Sequence, residues 1–94
     1  MSNNFIINIP KDFVVDEVAI FRTKINKLIE EGQKDFTFNF DKCDFIDSTG
    51  LGALVSIYKK CNEKGGSAKL KSLKPEVEKL FKLTRLDKVF EIYP

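Results

Sequence analysis

Histidine and tryptophan are missing from this 94-residue chain. The first absence excludes the most. Ser-His-Asp and Cys-His catalysis, histidine metal sites and imidazole general bases all require a ring that the chain does not have. An enzyme built from this sequence would have to work with carboxylates, lysine or a hydroxyl alone, so a non-catalytic role is the expectation. Cysteine is nearly as scarce. Cys43 and Cys61 stand apart and fit no zinc or redox spacing, which points to reduced thiols in a cytoplasmic protein. No apolar run approaches the roughly 20 residues that span a bilayer. No basic-then-apolar leader opens the chain, so no export signal is expected.

What is present describes one ordinary α/β domain. Hydrophobic residues make up 43% and charged residues 32%, a balance that supports a folded core rather than disorder. The length suits one core and is too short for two. The net charge of +2 conceals an asymmetry: residues 1–47 carry six basic against nine acidic side chains, and residues 48–94 carry ten against five. The lysines of the second half are interleaved with Glu63, Glu76 and Glu78, as on solvated helix faces, which argues against a nucleic-acid surface.

The apolar pattern alternates between two periods. Phe5 to Ile9, ended by Pro10, reads as a strand. Val14, Val18, Phe21, Ile25, Leu28 and Ile29 recur at steps of three and four, predicting a helix over about Val15 to Glu31 that stops at Gly32. Phe36-Thr37-Phe38-Asn39-Phe40 alternates as a strand with its phenylalanines on one face, and nine phenylalanines in all read as core rather than as a stacking surface. Asp41 to Asp44 turn the chain and Phe45-Ile46 return it to the interior. Leu51, Leu54, Val55, Tyr58 and Cys61 predict a second helix from Leu51, ended by Gly65-Gly66. A third strand is expected at Ala68, Leu70 and Leu73. A third helix follows from Pro75, with Val77, Leu80, Phe81 and Thr84 buried and Leu83 and Leu86 closing its end. Val89, Phe90, Ile92 and Tyr93 read as a last strand. The order predicts a small, mostly parallel β-sheet with about three crossover helices packed mainly on one face.

The stretch Phe45-Ile46-Asp47-Ser48-Thr49-Gly50-Leu51-Gly52 joins a strand-like run to a helical one. No lysine follows Gly52, so it is not a P-loop; it lacks the Gly-x-Ser-x-Gly pattern of a nucleophile elbow and the third glycine of a dinucleotide fingerprint. Two readings remain. In the first, Ser48 or Thr49 simply caps the helix, and the glycines allow close packing and a tight turn. Alternatively, Ser48 is a phosphoacceptor at a helix N-terminus, where a phosphate is well received. In that case phosphorylation adds nearly two negative charges beside Asp47. At an effective dielectric of 20, a double charge ~6 Å from a partner carboxylate costs roughly 5 kcal/mol before salt screening, enough to break an interface without unfolding the domain. Binding of a nucleotide at the helix N-terminus is a further, weaker reading.

This stretch, Gly65-Gly66, and Pro75-Glu76-Val77-Glu78-Lys79-Leu80-Phe81 running into Leu83-Thr84-Arg85-Leu86 together resemble the STAS family, in particular the bacterial anti-sigma factor antagonists. The resemblance covers roughly residues 15–93. It implies one STAS domain over residues 1–94, without the extra first strand and the final helix that relatives carry, and with Lys11-Asp12-Phe13-Val14 replacing a Gly-x-aliphatic-Asp step. It further implies phosphorylation of Ser48 by an anti-sigma factor serine kinase, reversal by a PP2C-type phosphatase, and release of a sigma factor by the unphosphorylated form. Asp47, Ser48, Thr49, Gly50 and Leu51 would form the partner-binding surface. No catalytic residue, cofactor or metal is implied, and neither direct nucleic-acid nor membrane contact. STAS domains also serve stress-signalling assemblies, lipid-transport complexes and anion transporters, so a subunit role without phosphorylation is the alternative.

Overall fold

Phe36, Phe38 and Phe40 are fully buried and set the centre of the molecule. In the computed structural model, which describes residues 4–94, they lie on and just beyond the strand Asp35–Asn39. In chain order the elements are β1 (Asn4–Asn8), β2 (Asp12–Phe13), α1 (Val15–Glu30), β3 (Asp35–Asn39), β4 (Phe45–Ile46), α2 (Ser48–Glu63), β5 (Ser67–Lys71), α3 (Pro75–Leu83), a short 3-10 helix (Leu86–Lys88) and β6 (Glu91–Tyr93). Four strands form one parallel sheet in the order β1-β3-β5-β6, and β2 pairs with β4 in a separate parallel pair. The predicted small, mostly parallel α/β sheet with three helices is observed.

Strand alternation sorts the two faces of the large sheet. Ile7, Phe36, Phe38, Ala68 and Leu70 are buried beneath the helices. The opposite face, apart from the exposed Ile6 and Tyr93, is polar and tied by side-chain hydrogen bonds. Thr37 donates to Asn4, Asn39 to Asn8 and Ser67 to Asp35, each at 3.1 Å. The helical stripe of α1 buries Val18, Phe21, Ile25 and Ile29 as its spacing demands. Phe21 meets Phe13 at 4.9 Å and Phe38 at 5.5 Å, both edge-on, the geometry favoured by aromatic quadrupoles.

Several boundaries differ from the sequence reading. α2 begins at Ser48 rather than Leu51, and its buried stripe includes Ala53 and Ile57 beside Leu54 and Cys61. β5 stops at Lys71 and leaves Leu73 outside. In α3 only Val77 and Phe81 are fully buried; Thr84 is exposed and Leu83 is 70% exposed, so neither closes the core. Val89 and Phe90 are not strand. Arg85 takes a left-handed conformation (φ 62°), the chain turns through the 3-10 helix, and Phe90 drops into the core against Tyr58 (5.3 Å) and Phe81 (6.1 Å). Burial of the ring decides the matter over the β propensity of Val89-Phe90.

Gly65 and Gly66 do different jobs where one helix stop was expected. Gly65 has φ +77°, which a glycine adopts without strain. Gly66 lies so close to β3's entry that an added Cβ would come within 2.0 Å of the Lys34 carbonyl oxygen.

Candidate functional site

The β2–β4 pair is the platform on which the Asp47–Gly52 stretch stands. Asp12 pairs with Phe45 and Phe13 with Ile46. The Lys11 carbonyl accepts from the Asp44 and Phe45 amides at 2.8 and 3.2 Å, and the Phe13 carbonyl accepts from Asp47 N–H at 3.3 Å. Phe13 and Ile46 are buried under the start of α2. Gly50 rests directly on them: a Cβ there would meet Ile46 Cγ1 at 2.8 Å, and Phe13 Cδ2 and O at 2.9 Å. The third position of α2 must therefore be glycine for the helix to sit this low. Outside the platform, Asp44 is held by Lys74, the residue preceding α3, with Lys11 at 4.0 Å. The Lys74 ammonium hydrogen-bonded to Asp44 holds that carboxyl below its ordinary range.

Asp47, not Ser48 or Thr49, caps α2. Its Oδ1 accepts from Gly50 N–H at 3.0 Å and from Thr49 Oγ1 at 2.6 Å. The carboxylate oxygen thus satisfies one of the N–H groups that a helix start leaves unpaired. The Thr49 hydroxyl first, and then the Gly50 amide, lower the Asp47 pKa, and the Val15 amide adds to the effect.

Ser48 occupies the first position of α2, is exposed, and makes no side-chain hydrogen bond among the described residues. Of the five residues singled out from the sequence, Ser48 and Thr49 face solvent and Asp47 is half-buried. Leu51 is half-buried, packed against the core, and Gly50 is buried. The structure thus brings all five to one helix start but gives them different tasks: two to present, one to cap and two to seat the helix. Sequence reasoning returned Ile46 to the interior, as observed, but missed Phe13 and the β2–β4 pairing, because a two-residue strand carries too little periodicity to be seen. Phe45, expected in the interior with Ile46, is instead 52% exposed, because alternation along β4 turns the two side chains to opposite faces, and the exposed Val15 (57%) was not foreseen.

A parallel four-stranded sheet and a separate two-stranded platform that carries an exposed serine at a capped helix start define a small α/β domain. The chain belongs to the STAS domain family, whose profile matches residues 2–94. Its relatives there include anti-sigma factor antagonists. It is 32% identical over 90 residues to the anti-sigma-B factor antagonist of Bacillus subtilis (strain 168), covering 96% of this chain and 82% of that protein. In fold it is similar to the anti-sigma factor antagonist SpoIIAA in its unphosphorylated form, with TM-score 0.87 at 22% identity, covering 98% of this chain and 81% of the other. The phosphorylated form of the Bacillus protein SpoIIAA gives TM-score 0.79 at 22% identity over 98% of this chain and 84% of that one.

Proposed function

We propose that this chain is a phosphorylation-switched anti-sigma factor antagonist. Unphosphorylated, it binds an anti-sigma factor serine kinase and so frees a sigma factor. With phosphate on Ser48 it no longer binds, and a PP2C-type phosphatase restores it. The chain is a cytoplasmic binding module, and the chemistry belongs to its partners.

The observation that carries this reading is the contrast between two adjacent hydroxyls. Thr49 is tied to the Asp47 carboxylate, whereas Ser48 is exposed with its hydroxyl uncommitted among the described residues. A phosphate at the first position of α2 meets the favourable end of the helix dipole, so the modified domain keeps its fold. The same dianion beside Asp47 repels an acidic partner surface and takes on a hydration shell that the exposed Phe45 and Val15 flank cannot replace. Support also comes from SpoIIAA, which exists in phosphorylated and unphosphorylated forms on the same fold.

The test is incubation with an anti-sigma factor serine kinase and ATP, with the phosphate located by mass spectrometry. Phosphate is expected on wild type and not on Ser48→Ala, and Ser48→Asp is expected to lose at least tenfold in kinase affinity while remaining folded. Equal labelling of Ser48→Ala sinks the phosphoacceptor assignment. Partner binding that is indifferent to Ser48→Asp points instead to a STAS subunit acting without phosphorylation.

A further inference from the structure

The outer edge of β1 is a second place where this fold can take a partner. Among the described residues no strand pairs with it, β1 being the last strand on its side of the sheet. The Ile9 amide donates to the Asn39 carbonyl on β3 at 2.9 Å. Backbone direction alternates along a strand, so Ile6 and Asn8 turn their N–H and C=O groups outward. Sheet edges are ordinarily blunted by charge or proline. The run Asn4-Phe5-Ile6-Ile7-Asn8 has neither, whereas β6 at the opposite edge carries Glu91 and is followed by Pro94.

A groove runs beside this edge, between β1 and α1, with a volume of about 430 Å³. Its apolar surface comes from Ile7, Ile9, Phe21 and Ile20, the last 67% exposed. Lys11, Lys24 and Lys42 also line it, against a single acid, Glu17. An edge strand flanked by a helix and an apolar groove is the arrangement that receives an added strand: main-chain hydrogen bonds supply affinity and alternate side chains fill the groove.

We propose that the β1 edge and its groove bind an extended segment of a partner protein in which acidic and apolar side chains alternate. The segment extends the sheet by pairing with the outward groups of Ile6 and Asn8. Its apolar side chains lie along Ile20 and Phe21, and its carboxylates answer the lysines. Charge complementarity selects this occupant over a second copy of the chain, because the copy's β1 is uncharged and offers no carboxylate to Lys24 and Lys42 or to Lys11, whose present partner Asp44 stands 4.0 Å away. This surface is distinct from the start of α2, so both partners can be tested separately.

The probe is a short fluorescent peptide of alternating glutamate and valine, compared with its lysine-valine counterpart by anisotropy. The glutamate peptide is expected to bind the full chain, to slow amide exchange at Ile6 and Asn8 by at least tenfold, and to lose affinity about tenfold on Ile20→Ser or on combined Lys11, Lys24 and Lys42→Gln. N-methylation of alternate peptide amides is expected to abolish binding, and Ser48→Asp to leave it unchanged, which keeps this test independent of the switch at Ser48. Equal binding of the lysine peptide, no saturable binding of the glutamate peptide, no added protection at Ile6 and Asn8, or dimerisation of the chain through this edge would each overturn the proposal.

Discussion

Thr49 Oγ1 donates to Asp47 Oδ1 at 2.6 Å across the intervening Ser48, so the residue that caps α2 also immobilises the neighbouring hydroxyl. One carboxylate oxygen therefore does two things at once. It closes the helix start, and it leaves Ser48 as the hydroxyl that is both exposed and uncommitted.

The cap has a pH signature. The Asp47 pKa is lowered in the folded chain, by the Thr49 hydroxyl above all and then by the Gly50 amide. A carboxylate with a lowered folded pKa contributes stability that is fully present above the unfolded value of about 3.9 and is lost as pH falls through the folded value. The difference in urea midpoint between wild type and Asp47→Ala should thus be constant between about pH 5 and 8 and shrink in more acid solution. A gap that widens in acid would contradict the assigned cap.

Gly50 and Gly52 should respond oppositely to alanine. At Gly50 a Cβ meets Phe13 and Ile46 below 3.0 Å, so Gly50→Ala overpacks the platform and should cost about 1–3 kcal/mol in urea unfolding. Gly52 is exposed, has nothing within 4 Å of an added Cβ, and lies inside α2. Gly52→Ala should therefore stabilise by roughly 0.5–1 kcal/mol through helix propensity.

Phe38 joins the sheet to α1. Its ring stacks on Phe36 at 5.9 Å, meets Phe21 edge-on at 5.5 Å, and is fully buried. Phe38→Ala should cost about 3–5 kcal/mol, a large share of what a domain of this size has to lose. Loss of cooperative unfolding by circular dichroism is the expected readout, with Phe38→Leu retaining a two-state transition at lower urea.

Both thiols should be silent in the native protein. Burial pushes the Cys61 thiol up to about 11, with Asp35 adding to it, and burial likewise raises Cys43. At pH 8 a thiol with that pKa is thiolate only to roughly one part in a thousand. A disulfide reagent should therefore label Cys43 and Cys61 only as fast as the chain opens, and at once in denaturant. Rapid native labelling of either would place it in a more accessible setting.

Most of the architecture is legible in the sequence because it rests on long periodic segments. The steps of three and four from Val18 to Ile29 and the alternation from Phe36 to Phe40 each bury a whole face, and burial of apolar area is what selects helix or strand there. The sequence also marks Ser48 as a candidate, through its hydroxyl beside glycines at a strand-to-helix junction. Short elements escape this reasoning. β2 and β4 have two residues each, and only their mutual pairing, thirty-odd residues apart in the chain, makes either a strand. The tertiary structure likewise decided that Asp47 rather than Ser48 caps α2. Asp, Ser and Thr can all cap, and the choice depends on where the Phe13–Ile46 platform holds the first turn. Chemical identity along the chain supplied the parts of the proposed switch; the contact between two distant dipeptides fixed the helix start at which Thr49 is tied to Asp47 and Ser48 is left exposed.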